Sequence, residues 1–179
     1  NVTGALSITG SITVTGTGDV SGSATSTGSF GTIQAKGVSL SNNDAGVGNT
    51  LFGRSAGLSL DAGSNYNVFV GENVSDAAMN DATNNTAVGY AAMSALTTGD
   101  ANIAIGYSAL NDLDTGTYNI ALGNSALDVL TAGTRNIAIG VGSMGAADDA
   151  ETDNIAIGFD AIGNLNNDSA TRNIAIGNY

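Results

Sequence analysis

Four acids, Asp148, Asp149, Glu151 and Asp153, fall within six residues of one another. Calcium takes about six to eight oxygen ligands, and carboxylates supply most of them. The spacing here is not that of an EF-hand loop, and the glycine-rich nonapeptide of calcium-binding β-rolls is absent. A solvated acidic turn is the expectation. Asp112 and Asp114 have the residue types of a glycosidase acid–base pair. Asp is also favoured at turns because its side chain hydrogen-bonds nearby backbone. The chain has no His and no Cys. That removes the usual general base, the commonest metal ligand, the thiolate nucleophile and the disulfide. The expectation is therefore no enzyme, no cofactor and no metal site.

Charge and composition narrow the partners. The 179 residues carry 4 Lys plus Arg against 16 Asp plus Glu, a net charge of −12. Nucleic acid is disfavoured, because phosphate binding needs clustered cations. Anionic membrane surfaces are disfavoured for the same reason. No apolar run is long enough to insert in a bilayer. There are 26 Gly and no Pro, and apolar residues reach 42% while aromatics reach only 5%. Any core must be built from small and branched aliphatic side chains.

What would position such residues is a repeat. From residue 49 a five-residue unit, Asn–apolar–Ala–apolar–Gly in its commonest form, recurs eight times. The asparagines are Asn49, Asn67, Asn85, Asn102, Asn119, Asn136, Asn154 and Asn173. The glycines are Gly53, Gly71, Gly89, Gly106, Gly123, Gly140, Gly158 and Gly177. Successive spacings are 18, 18, 17, 17, 17, 18 and 19 residues. A small–apolar pair follows the Gly, as in Ala92–Met93, Ala109–Leu110 and Ala126–Leu127. A further apolar position follows that, at Leu96, Leu113 and Leu130. Length varies only between this position and the next Asn, which marks one adaptable corner on a fixed coil.

A unit of 17–19 residues is too short for a helical pair, whose repeats run to about 34 residues. The alternating, β-branched core reads as strand. The reading is all-β: a parallel β-solenoid or β-roll of about eight coils over residues 49–179, stacked ~4.8 Å apart. Stacked Asn and Gly columns are expected to be structural. Asn bonds its copies above and below, and Gly permits tight corners. Two apolar rows result, since strand side chains alternate. One is rich in Ile, such as Ile103, Ile105, Ile137 and Ile139. The other is mostly Ala, from Ala87 to Ala175, widening to Leu51 and Phe69. A thin coil has room for one row, and the other is expected against neighbouring chains. The Ile row is expected inside and the Ala row at the seam. Tyr90, Tyr107 and Phe159 follow core glycines and are expected to pack at a seam or corner.

Residues 1–34 follow a second period. Gly4, Gly10, Gly16, Gly22 and Gly28 are six apart, each preceded by Thr or Ser. These hexads read as a β shaft, formed either as one chain's three-sided coil or as a three-chain interwoven prism. Residues 35–48 break both periods and read as a junction.

The Asn-to-Gly unit resembles the head repeat of trimeric autotransporter adhesins, which contains N-S-V-A-I-G. Closer still is its resemblance to the N-T-A-I-G-Y-x-A-L…T-T-G-x-x-N arrays of phage tail-fibre-like proteins. NIAIGYSALNDLDTGTYN from Asn102 and NIALGNSALDVLTAGTRN from Asn119 carry that resemblance. It implies a left-handed β-roll assembled as a parallel homotrimeric fibre. It further implies a tail-fibre segment of a virion, with other fibre proteins as neighbours and a host-surface glycan or protein as target. The alternative it implies is a bacterial adhesin head at the cell surface.

Overall fold

The computed structural model describes residues 46–147, 150–163 and 170–178. The hexads, most of the junction, and Asp148 and Asp149 lie outside these.

Every repeat core forms a three-residue strand. The strands are β1 (Thr50–Phe52), β2 (Val68–Val70), β3 (Thr86–Val88), β4 (Ile103–Ile105), β5 (Ile120–Leu122), β6 (Ile137–Ile139), β7 (Ile155–Ile157) and β8 (Ile174–Ile176). They form one parallel sheet in chain order, β1 to β8. Repeat positions pair in register, so Ile103 faces Ile120, Ala104 faces Ala121 and Ile105 faces Leu122. Thr117, Thr134, Thr152 and Thr171 make a second line of parallel bridges. The described chain is thus an all-β solenoid of about seven turns, with the N-x-A-x-G units stacked as the spacing predicts.

The apolar rows are the reverse of the expectation. Leu51, Phe69, Ala87, Ala104, Ala121, Ala138 and Ala156 are buried inside the coils. The Ile row points outward: Ile103, Ile105 and Ile139 are more than a third exposed. Volume explains the reversal. The opposite wall sends Met93 and Leu96, Leu110 and Leu113, or Leu127 and Leu130 into the same thin interior, all fully buried. Only a methyl's room is left on the strand side of those coils. Where that wall is smaller, the strand residue grows. In the first coil Gly57 stands where Met93 and Leu110 stand later, and a Cβ there would lie 2.9 Å from the Leu51 side chain. In the second coil Ser75 takes the same place and Phe69 fills the space. Each full Leu or Phe buried this way contributes roughly 1.5–3 kcal/mol.

The corners turn on left-handed residues, and most of these are not glycine. The residue before each described core Asn from Asn67 onward has φ between 56° and 60°: Tyr66, Asn84, Ala101, Tyr118, Arg135, Asp153 and Arg172. Left-handed backbone costs a residue with a Cβ about 1–2 kcal/mol. Hydrogen bonding between coils offsets this. The Tyr118 N–H donates to the Asp100 carbonyl at 3.0 Å, and the Arg135 N–H donates to the Thr117 carbonyl at 3.0 Å.

Candidate functional site

The Asn column is the most regular polar feature of the coil. Asn85, Asn102, Asn119, Asn136 and Asn154 are buried. In each, the side-chain oxygen accepts from the next coil. Asn102 Oδ1 receives the Asn119 N–H at 2.9 Å and Asn119 Nδ2 at 3.1 Å. Each Nδ2 also donates to a carbonyl three residues before the next core Asn, as from Asn119 to Gly133 at 2.7 Å and from Asn136 to Glu151 at 2.7 Å. The amides therefore tie coil to coil and close each corner. Buried and occupied in this way, they offer no surface to a ligand. Asn173 continues the column, donating to Asn154 Oδ1 at 3.0 Å.

The glycines pack backbone on backbone. Gly123 has φ 142°, and a Cβ on it would lie 2.6 Å from the Gly140 carbonyl carbon. A side chain would be both strained and in collision there, so this column is structural as well.

Among the described residues, Asp112, Asp114, Glu151 and Asp153 are engaged separately. Asp114 accepts from the Thr97 hydroxyl one coil back. Asp112 accepts from Asn111 Nδ2 at 2.6 Å. Both are exposed turn residues engaged in local bonds. Asp153 takes a two-pronged ion pair from Arg135, at 2.6 and 3.1 Å. Its carboxyl is held below the usual range by that hydrogen bond first, with the Arg135 and Arg172 charges assisting. Glu151 is buried, with its backbone carbonyl receiving Asn136 and Thr134. No group of three acids among the described residues could hold a metal ion.

Two surfaces remain. One is the outward sheet face, two columns of Val, Ile, Leu and Thr beside the core Ala row. Tyr90 and Tyr107 extend it, stacked in parallel with ring centres 5.3 Å apart. Their mutual packing leaves their faces partly covered. The other is a cavity beside Ser125, Asp128 and Asp160. Sequence reasoning missed it, because Ser125 and Asp128 lie in one repeat and Asp160 two repeats on, and only the stack brings them together.

No protein-family model, curated protein or solved structure matches this chain.

Proposed function

We propose that the chain is the repeat section of a non-enzymatic, homotrimeric surface fibre, most simply a phage tail fibre or other virion appendage. Its task is mechanical. The coil stack sets a fixed distance and holds other fibre parts, and whatever they bind, away from the particle. A host-surface glycan or protein is the expected contact, and the variable corners are where coils differ enough to make one.

The observation that carries this reading is the outward Ile face. Ile103, Ile105, Ile120, Ile137, Ile139, Ile155 and Ile157 line one side of four consecutive coils. A continuous apolar strip is unusual on an isolated soluble chain. Burial against two further copies about a central axis removes it from water. The regular Asn and Gly columns support a spacer, since the same coil recurs with little change.

Light scattering tests the assembly. A trimer has a mass of about 52 kDa, three times 17.5 kDa. A folded monomer at micromolar concentration would end the reading. The adhesin-head alternative rests on the same repeat resemblance. A coiled-coil stalk and membrane anchor encoded in the same gene would select it, whereas tail-assembly genes alongside would select the virion appendage.

A further inference from the structure

The sixth coil departs from the repeat on the wall that follows its core glycine. Two residues past that glycine, the coils carry Ser55, Asn73, Ala91, Ser108, Ser125, Gly142 and Asp160 in turn. Five past it they carry Leu58, Asp76, Ser94, Asn111, Asp128, Gly145 and Gly163. Only the sixth coil has glycine at both positions. The wall is therefore notched there, and Gly163 carries the notch into the seventh coil at the second position.

The notch is a cavity of about 600 Å³, with Gly142, Gly145 and Ala146 among its lining. Ser125 and Asp128 border it from the preceding coil, and Asp160 and Ile162 from the following one. Both acids lean over the sixth coil. A Cβ on Gly145 would lie 3.5 Å from Asp128 Oδ1, and one on Gly142 would collide with the Asp160 carboxylate. The glycines thus admit the two carboxylates to the same space. Burial pushes the Asp128 carboxyl upward, opposed by the Ser125 hydrogen bond and helped by the Asp112 charge.

The geometry points to a binding site for one ring of a neutral polyhydroxylated ligand, a saccharide unit. A volume of about 600 Å³, bordered by acids from the coils on either side, has room for one six-membered polyol ring and its hydroxyls. Carboxylates are acceptor-only when ionised, and hydroxyl groups are the donors they need. The Ser125 oxygen, its proton given to Asp128, can accept, while Ile162 and Ala146 offer apolar contact to the ring carbons. No Arg or Lys lines the notch among the described residues, and a chain of net charge −12 repels anionic ligands. This site deepens the attachment part of the proposed function and rests on it only for its biological setting. Sugar binding and trimer mass are measured separately, and either can fail alone.

The test is a titration of the whole chain with glucose, galactose, mannose and N-acetylglucosamine, followed by amide chemical shifts. The expected result is millimolar binding by at least one sugar, with shifts centred on Ser125, Gly142, Gly145 and Asp160. Asp160→Ala should weaken it roughly tenfold or more, the worth of charge-assisted hydrogen bonds. Gly145→Val should abolish it by filling the notch, with an unchanged circular dichroism spectrum. Asp114→Asn, remote in the turn pattern, should leave it intact. Shifts that persist in Gly145→Val, or no shifts with any of the four sugars, would overturn the site. Binding of glucosamine without binding of any neutral sugar would also overturn it, by showing that charge rather than hydroxyls is recognised.

Discussion

Asn119 Oδ1 accepts two hydrogen bonds from Asn136, one from its backbone N–H at 3.0 Å and one from its Nδ2 at 3.0 Å. The same Asn119 donates backward to Asn102 Oδ1 and sideways to Gly133. One side chain therefore joins three successive coils and a corner, with every bond buried.

Asn119→Ala should leave the Asn136 N–H without its acceptor in the interior, while the Gly133 carbonyl keeps the Thr117 N–H. One unsatisfied buried group costs about 1–3 kcal/mol. The expected loss is of that size, about 1–3 kcal/mol, read as a lower midpoint in urea with unchanged slope. Asn119→Asp should be worse at neutral pH, because a carboxylate cannot donate to Gly133 and would be charged in the interior. A loss below about 1 kcal/mol would mean that the column tolerates gaps.

The inside and outside rows are separated by a pair of substitutions. Ala121→Leu adds bulk where Leu127 and Leu130 already fill the coil, and overpacking costs about 1–3 kcal/mol. It should lower the melting temperature. Ile105→Ser removes an apolar group from the outward face and leaves the interior as it was. Its effect should appear as weaker association, measured by sedimentation, with the β spectrum kept. The opposite pattern would restore the arrangement with Ile inside.

Spacer length is tested by removing one coil. Deleting Asn119 to Arg135 takes out 17 residues and joins Tyr118 to Asn136 in phase. Coils contact mainly their neighbours, so the rest should restack. The stack should shorten by ~5 Å, with β content retained. Deleting about half as many residues from the same place should collapse the sheet, because apolar and polar columns would then meet. Scattering profiles and circular dichroism of the two variants decide it. The in-phase deletion also puts Ser108 and Asn111 in the places of Ser125 and Asp128, so sugar binding should weaken through the loss of one carboxylate while the stack survives.

Acid should act on two carboxyls with opposite signs. Asp153 is depressed below its usual value by Arg135. The stabilisation it gives is complete above that usual value and is lost as pH falls through the depressed one. Asp153→Asn should therefore lower the melting temperature near pH 7 and make no difference near pH 2. Because the pair is exposed, the change is small and shrinks with added salt. Asp128 is raised by burial, so its ionisation opposes folding and its protonation relieves that opposition. Asp128→Asn should raise the melting temperature near pH 7 and leave it unchanged near pH 3. Melting curves across pH at low salt would show the two trends crossing, and parallel trends would contradict both assignments.

Period, strand positions and the all-β stack were legible in the sequence, because Asn and Gly recur at each coil and the residues between alternate. Which row lies inside was not legible. Alternation says that Ile103 and Ile105 share a face opposite Ala104, but it is symmetric about the strand. The answer lay ten or fewer residues on, in the space that Leu110 and Leu113 occupy. The left-handed corner was hidden for another reason. Tyr66, Ala101, Tyr118 and Arg135 share no feature that marks a turn, since the bond from the preceding coil holds each of them there. The notch needed the stack itself, which brings Asp128, Gly145 and Asp160 from three repeats to one place.

The strands lie across the stack, while the bonds that join coil to coil run along it. Between β5 and β6, the Ile120 N–H donates to the Asn136 carbonyl and the Gly140 N–H to the Leu122 carbonyl, both at 2.8 Å. Tension applied end to end would pull on such bonds lengthwise instead of shearing strand past strand. Bonds within one junction share that load, but successive junctions bear it in series, like links. Extra coils would therefore add reach without adding strength, and the breaking force of the whole stack would be that of its weakest junction.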